Sequence, residues 1–168
     1  MRNIEVKVRL TEYHEALENV ASLTGQKPLR LKQVDTYFKA TNGRLKLREE
    51  VGQSELIFYV RPDQPDSKRS DYVRVPVVEP DKLRDVLAKA LSVDVVVEKT
   101  RNLFFQDAIR IHVDEVRRLG HFLEVEVPVD DVESEKFAHA AIKTLLSNLP
   151  GVSESISVSY SDMLRESR

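Results

Sequence analysis

Several segments of the chain alternate apolar and charged residues with a period of two. Residues 3–10 place apolar side chains at every even position and polar ones at every odd position: Asn3, Glu5, Lys7 and Arg9. The same alternation returns at 44–48, 109–114 and 123–127, and most of its charged groups are cationic. Because side chains of a strand repeat every two residues, each segment presents its ionic groups on one face.

This alternation predicts eight β-strands, which we place at 3–10, 34–40, 44–50, 55–61, 71–78, 95–106, 109–116 and 121–129. Asn42-Gly43 is a tight-turn sequence between the second and third strands. Most of the remaining connections are too short for a crossover helix, so neighbouring strands should run antiparallel. The segment 62–70, rich in Pro, Asp and Ser, predicts a mobile surface loop.

Three helices interrupt the strands, since apolar residues there recur every three or four positions. We predict them at 12–24 with Thr11 as the N-terminal cap, from Pro80 or Asp81 to about residue 91, and at 133–149. A short helical turn is expected at 160–166. Nothing resembling a linker or an internal repeat divides the 168 residues, so we predict a single domain over 1–168.

The charged faces are too regular and too cationic for plain solvent-facing surfaces. Eight strands suffice to close a barrel with a small interior. We therefore predict an α+β fold, a closed eight-stranded antiparallel β-barrel (a tunnel) with a polar interior, flanked by amphipathic helices. The ionic residues on the inward faces would be these: Glu5, Lys7, Arg9, Arg44, Lys46, Arg48, Glu50, Arg61, Arg74, Lys99, Arg101, Arg110, Asp114, Glu124 and Glu126. The like charges that line such a cavity would repel one another unless the cavity were water-filled and received an anion with metal ions.

Composition excludes several other classes of protein. Hydrophobic residues make up 41% and charged residues 32%, which is typical of a globular chain, and the net charge of −2 disfavours non-specific binding to duplex nucleic acid. The absence of cysteine excludes disulfides and thiolate metal sites. No apolar run approaches the ~18 residues of a membrane span. A cytoplasmic protein, monomeric or homodimeric and without a membrane or nucleic-acid partner, is expected.

Seven short motifs follow one another along the chain: Asn3-Ile4-Glu5-Val6-Lys7, Gln33-Val34-Asp35-Thr36-Tyr37-Phe38, Arg44-Leu45-Lys46-Leu47-Arg48, Glu98-Lys99-Thr100-Arg101, His112-Val113-Asp114, Phe122-Leu123-Glu124-Val125-Glu126 and Ser159-Tyr160. In order and spacing they resemble the CYTH superfamily, the triphosphate tunnel metalloenzymes. The first motif resembles the Glu-x-Glu-x-Lys signature of that family. Asn3 replaces its first Glu, as expected in the branch that resembles class IV adenylate cyclases.

The resemblance implies a tunnel that binds a triphosphate together with Mg²⁺ or Mn²⁺. Position by position, the phosphate contacts would be Lys7, Lys46, Arg48, Arg61, Arg74, Lys99 and Arg101, to which we add Arg9 from the same strand face as Lys7. The metal ligands would be Glu5, Asp114, Glu124 and Glu126. We expect Glu5, Lys7 and Glu126 to be the catalytic residues.

Simpler interpretations of the same residues stay open. Glu124 and Glu126, like Lys46 and Arg48, could form solvated strand faces. Glu5 and Lys7 could be a surface ion pair worth about 0.5 kcal/mol. His112 is more often a hydrogen-bonded barrel residue than a ligand.

The function that we expect is a metal-dependent hydrolase of triphosphates. Inorganic tripolyphosphate is the first choice of substrate, because a wall of cations without an evident base-binding pocket suits a bare polyanion. Nucleoside triphosphates and thiamine triphosphate remain open. The alternatives are a class IV adenylate cyclase, which makes cyclic AMP and pyrophosphate from ATP, and a non-catalytic polyphosphate-binding module.

Overall fold

The computed structural model of the chain describes residues 2–60, 68–69 and 71–167. Within them lie four helices: α1 (Tyr13–Thr24), α2 (Pro80–Leu91), α3 (Val132–Ser147) and α4 (Tyr160–Glu166). The same residues form ten strands: β1 (Arg2–Leu10), β2 (Leu29–Phe38), β3 (Arg44–Glu50), β4 (Gln53–Val60), β5 (Lys68–Arg69), β6 (Asp71–Pro76), β7 (Val93–Gln106), β8 (Ile109–Val116), β9 (Gly120–Val129) and β10 (Val152–Ser155).

One antiparallel sheet contains all of these strands, in the order β10-β1-β9-β8-β7-β2-β3-β4-β6, with β5 paired to β1. The sheet curls on itself, because Lys68–Arg69 pair with β1 while β6, which begins at Asp71, pairs with β4. In the described residues no ladder joins β6 to β1, so the hydrogen bonds do not close the ring. The predicted α+β fold with an antiparallel, tunnel-like sheet is confirmed, and the complete closure of the barrel is not.

All eight predicted strands are present, and β5 and β10 are additional. The predicted loop at 62–70 falls mostly outside the described residues, apart from the two that form β5. The cap predicted for the first helix is wrong. Thr11 donates its hydroxyl hydrogen to the carbonyl oxygen of Gly151 at 3.4 Å, and α1 begins after Glu12 without a side-chain cap.

The main core lies between the outer face of the sheet and two helices. The apolar residues of β1 at positions 4, 6, 8 and 10 pack with β8 and β9 against Val20 of α1 and Ile142 of α3, and both Val8 and Val20 are fully buried. Burying an aliphatic side chain of this size contributes about 1.5–3 kcal/mol. The apolar alternation that predicted the strands therefore faces outward, under helices, and leaves the odd-numbered polar face of β1 to the interior.

Helical cover of the outer face is incomplete in the part of the chain that the structure describes. Helix α2 lies beside β2 and β3 without a fully buried side chain. On the outer faces of β4 and β6, Val60, Val73 and Val75 are each more than half exposed. No helix in the structure is both long enough and apolar enough to cross a membrane, as judged from the described residues.

The polar interior that the sequence predicted is present, and an apolar cluster adjoins it at one end. Val95 and Val97 of β7 share a face with Lys99 and Arg101, and both valines are buried against Tyr160 and Leu164 of α4. The C-terminal helix thus fills one end of the barrel with apolar side chains. This packing leaves the charged residues concentrated at the other end.

Candidate active site

Most of the predicted ionic residues line one cavity inside the curled sheet. The cavity holds about 770 Å³ of empty space, part of it open to solvent. The predicted site residues that line it are Glu5, Lys7, Lys46, Arg48, Arg74, Lys99, Arg101, Glu124 and Glu126. They come from five strands, and the period of two brings each of them to the inner face.

Two of the described site residues that the sequence predicted, Arg9 and Asp114, do not line the cavity. Arg9 is exposed, and its guanidinium donates to the carbonyl oxygen of Leu119 at 2.8 Å, so it points away from the other cations. Asp114 is completely buried behind the cavity wall. Arg61 lies outside the described residues.

Asp35 on β2 is the centre of the cationic half of the cavity. Lys46 Nζ donates to its carboxylate at 2.8 Å, and Arg48 donates two hydrogen bonds to it at 2.7 and 2.8 Å. Lys99 Nζ lies 3.5 Å from the same group. Burial alone would raise the pKa of Asp35, but the charges of Arg48, Lys46 and Lys99 outweigh it and hold this pKa well below its usual range. One buried anion thus contacts and positions three cations and offsets part of their charge.

Sequence reasoning missed this function of Asp35, although the residue belongs to one of the motifs. The position of Asp35 on the inner face of β2 could have indicated this function. Because β2 pairs with β3, Asp35 lies opposite Arg48. The strand alternation placed the side chain but could not identify its partners.

A second buried carboxylate, Asp114, holds Arg101. The guanidinium of Arg101 donates to both oxygens of Asp114, at 2.8 and 2.7 Å, and the hydroxyl of Tyr160 donates to Asp114 at 3.0 Å. Arg101 also lies 3.3 Å from Glu124. Burial would raise the pKa of Asp114, and the bidentate Arg101 more than compensates and lowers it. Asp114 therefore orients Arg101, and both of its oxygens accept hydrogen bonds.

The acidic half of the cavity lies where β1, β9 and β8 pair. Glu5 is the register partner of Glu126, and Lys7 is the register partner of Glu124. Lys7 Nζ lies 3.5 Å from Glu124, and Arg110 lies 3.1 Å from Glu126. Burial would raise the pKa of Glu124, but Lys7 and Arg101 keep it well below its usual range, so this carboxylate is ionised.

The acidic half has ligand atoms suited to a divalent cation. One atom each from His112, Glu124 and Glu126 lie within 4.8 Å of one another. Ionised carboxylates are the ligands that Mg²⁺ prefers, and Mn²⁺ accepts the same oxygen donors. The residues present therefore fit the metal ion that the sequence predicted.

Tyrosines separate the charged groups from the apolar end of the barrel. Tyr37 and Tyr59 lie 3.4 Å apart through their hydroxyls, and the ammonium of Lys46 lies 5.4 and 5.9 Å from their ring centroids. Burial raises the pKa of Tyr37 to about 12, so its hydroxyl is neutral at physiological pH. Tyr59 and Tyr72 also line the cavity.

Lys99 is the cation whose protonation is most perturbed. Burial and the nearby charge of Arg101 together lower its pKa to about 7, and the opposing effect of Asp35 is only partial. In the protein without a ligand Lys99 is thus close to half protonated at neutral pH.

Comparisons with known proteins agree with this geometry. A protein of Methanocaldococcus jannaschii, provisionally named an adenylate cyclase, is 22% identical over 99% of this chain and 96% of its own length. The solved structure of the PH1012 protein of Pyrococcus horikoshii has a TM-score of 0.80 at 21% identity and covers 95% of this chain and 98% of that one. A Hippeastrum protein provisionally named an adenylyl cyclase, and described as having a dominant triphosphatase activity, has a TM-score of 0.71 at 13% identity over 100% of this chain and 97% of that one.

These structural likenesses extend over almost the whole chain and show the same fold. At the level of sequence, the family model described as the CYTH domain matches residues 1–160, which include every strand and the first three helices. The seven motifs all begin within this range. The chain belongs to the CYTH domain family.

Proposed function

We propose that this protein is a metal-dependent triphosphatase and that its substrate is inorganic tripolyphosphate, which it cleaves to pyrophosphate and phosphate. The observation that carries the proposal is the convergence of five cations with three glutamates in one cavity: Lys7, Lys46, Arg48, Lys99 and Arg101 with Glu5, Glu124 and Glu126. A site that only captured anions would have no use for the carboxylates. CYTH proteins include enzymes with triphosphatase or cyclase names, which agrees with this assignment.

The cationic half would bind the triphosphate. Arg48 and Arg101 are held in fixed planes by Asp35 and Asp114, which suits bidentate contacts to phosphate oxygens. Lys46 and Lys99 provide point charges between them. Because phosphoryl transfer depends on alignment and charge neutralisation more than on covalent help, prepositioned cations are the main contribution that the protein must make.

The acidic half would hold Mg²⁺ or Mn²⁺ through Glu5, Glu124 and Glu126. A bound divalent cation would neutralise phosphate charge and align the scissile bond. Lys7 Nζ lies beside Glu124 and 4.1 Å from the centroid of the Tyr160 ring. From there Lys7 would contact the phosphate nearest the acidic half. Asp114 was predicted as a further ligand, and we assign it to the orientation of Arg101 instead.

An adenylate cyclase is the second candidate. The adenylate cyclase name of the M. jannaschii relative favours it, and so do Tyr37, Tyr59 and Tyr72, which line the cavity and could stack on a base. A cyclase must also direct the ribose 3′-oxygen at the α-phosphate, and the observed cavity wall is dominated by phosphate-binding cations. We therefore favour the hydrolase.

Product analysis discriminates between the candidates. The protein is incubated with tripolyphosphate or with ATP, each with Mg²⁺ and with Mn²⁺, and the products are separated by ion chromatography. We expect pyrophosphate and phosphate from tripolyphosphate. Cyclic AMP from ATP would identify a cyclase instead, and tight binding without turnover under either ion would identify a binding module.

Two variants test the carboxylates within the same assay. Glu124→Gln and Glu126→Gln should each lower turnover at least about 100-fold, because each removes one charge from the metal-binding half. Glu115→Gln is the matched control, since Glu115 is exposed on the outer face of β8 and should leave turnover unchanged. Near-wild-type, metal-dependent turnover in both cavity variants would refute this assignment.

A further inference from the structure

His112 is a buried histidine that faces Glu124 and Glu126, two of the three glutamates of the cavity. It lies on the inner face of β8, directly opposite Glu124 on β9, and is only 3% exposed. Its Nδ1 is 3.5 Å from Oε1 of Glu124 and 3.8 Å from Oε1 of Glu126. Nδ1 makes no hydrogen bond in the structure. Buried polar nitrogen atoms are almost always partnered, so this atom requires an explanation.

The two glutamates already have cationic partners, which argues against His112 as their counterion. Lys7 contacts Oε2 of Glu124 at 3.5 Å, and Arg110 contacts Oε2 of Glu126 at 3.1 Å. The Oε1 atoms of both glutamates are the ones turned toward Nδ1. Oε1 of Glu124 also accepts from Arg101 at 3.3 Å, a longer contact than the hydrogen bonds of 2.7 to 3.0 Å that hold Asp114. Three donor atoms of a kind that metal ions bind therefore face a common point.

The spacing of these atoms fits a coordination sphere. In an octahedral site with bonds of about 2.1 Å, neighbouring ligand atoms lie about 3.0 Å apart and opposite ones about 4.2 Å apart. The distances from Nδ1 to the two oxygens, 3.5 and 3.8 Å, lie between these values, and the three ligand atoms lie within 4.8 Å of one another. Small side-chain movements would bring all three to bonding distance of one ion. Asp114, two residues further along β8, cannot serve in the same way because Arg101 and Tyr160 occupy its oxygens.

We propose that His112 is a nitrogen ligand of the divalent cation, together with Glu124 and Glu126, and that it biases this site toward Mn²⁺ over Mg²⁺. The inference rests on the proposed function only in taking the ion to be the one that accompanies the triphosphate. Mg²⁺ strongly prefers oxygen ligands, whereas imidazole nitrogen favours transition-metal ions. A site with one imidazole and two carboxylates should therefore bind Mn²⁺ more tightly than Mg²⁺.

Electron paramagnetic resonance of bound Mn²⁺ tests this directly. The full chain, free of any histidine tag, is titrated with Mn²⁺ with and without tripolyphosphate, and bound Mn²⁺ is examined by electron spin echo envelope modulation for coupling to ¹⁴N. Wild type should show the ¹⁴N coupling of a directly bound imidazole. His112→Asp should still bind Mn²⁺ but lose that coupling, and the ratio of its Mn²⁺ to Mg²⁺ affinities should fall at least about tenfold.

His121→Gln is the matched control, because His121 stacks on Tyr13, with ring centroids 4.4 Å apart, away from the glutamates. It should keep the nitrogen coupling. Bound Mn²⁺ without ¹⁴N coupling in wild type would overturn the inference even if the Asp variant failed to fold, and would leave the triphosphatase proposal to be judged by product analysis. Absence of any bound Mn²⁺ would overturn both the inference and the assignment of the acidic half.

Discussion

Asp35 shows how this chain keeps several cations buried in a cavity without a ligand. Its carboxylate contacts Lys46, Arg48 and Lys99, and a similar arrangement joins Asp114 to Arg101. Desolvated like charges are costly, and each carboxylate offsets part of that cost while fixing the direction of its partners. The triphosphate that we propose would add the negative charge that these two anions do not supply.

Replacing Asp35 by Asn should destabilise the protein without a ligand. Three cations would lose their shared counterion, and breaking a buried ion pair from one side costs about 3–5 kcal/mol. Urea unfolding monitored by circular dichroism measures the loss, and tripolyphosphate should restore more stability to Asp35→Asn than it adds to wild type. Asp81→Asn, which removes an exposed partner of Arg84, is the control and should change stability little. Equal stability of the two variants would contradict the account.

Protonation of Lys99 should be linked to ligand binding. Its pKa is lowered to about 7 by burial and by Arg101, so at pH 8 most molecules without a ligand carry a neutral Lys99. A bound polyanion favours the charged form and raises this pKa, so binding at pH 8 takes up a proton and weakens as pH rises above 7. Calorimetric titration with tripolyphosphate in buffers of different ionisation enthalpy measures the uptake.

The variant Lys99→Arg gives the matched comparison for that titration. An arginine stays protonated throughout this range, so the part of the proton uptake that is due to Lys99 should disappear while the positive charge is retained. Unchanged proton uptake in this variant would assign the effect to another group.

Among the elements, α4 has the largest effect on the cavity for its size. A capping box between Ser159 and Asp162 starts the helix, and Asp162 also accepts from Arg44 of β3 at 2.8 Å. Tyr160, in its first turn, donates to Asp114, and Leu164 is buried in the apolar end of the barrel. The helix thus closes one end of the interior and helps to hold Asp114 in place.

Leu164→Ala should lower the free energy of unfolding by about 2–5 kcal/mol, because it opens a void in a packed cluster. Urea unfolding provides the value. Leu23→Ala on α1 is the control, since Leu23 is 41% exposed and its truncation leaves little cavity. A loss in the α4 variant no larger than that in the α1 variant would show that α4 is not packed as described.

On the scale of the whole molecule, the alternation of apolar and charged residues was the informative part of the sequence. It identified the strands and the face of each that carries ionic groups, and this was enough to predict most of the charged residues that line the cavity. The alternation of side chains does not indicate which distant segments pair with each other. It gave no sign, for example, that β10 pairs with β1, with Val8 opposite Ser155. The sequence likewise did not predict where α4 packs, because the few residues of this helix carry no pattern that identifies their partners.

Alternation also could not decide what each charged side chain contacts. Arg9 and Lys7 share one face of β1, yet Arg9 bonds to Leu119 near the end of the strand while Lys7 meets Glu124. Asp114 was assigned to metal binding from a motif, and its three hydrogen bonds to Arg101 and Tyr160 became evident only from the packed structure. Strand position fixes a side chain's direction, and its function depends on neighbours that are distant in sequence.

The central claim is that inward-facing cations of the curled sheet bind the triphosphate, and calorimetric titration of two charge-matched variants tests it most directly. Lys46 lines the cavity and is 8% exposed, whereas Lys32 is exposed on the outer face of β2. Both Lys46→Met and Lys32→Met remove one positive charge. The account predicts that tripolyphosphate affinity falls at least about tenfold in Lys46→Met, which corresponds to 1.4 kcal/mol, and less than about twofold in Lys32→Met. Equal losses in the two variants, or none in Lys46→Met, would contradict it.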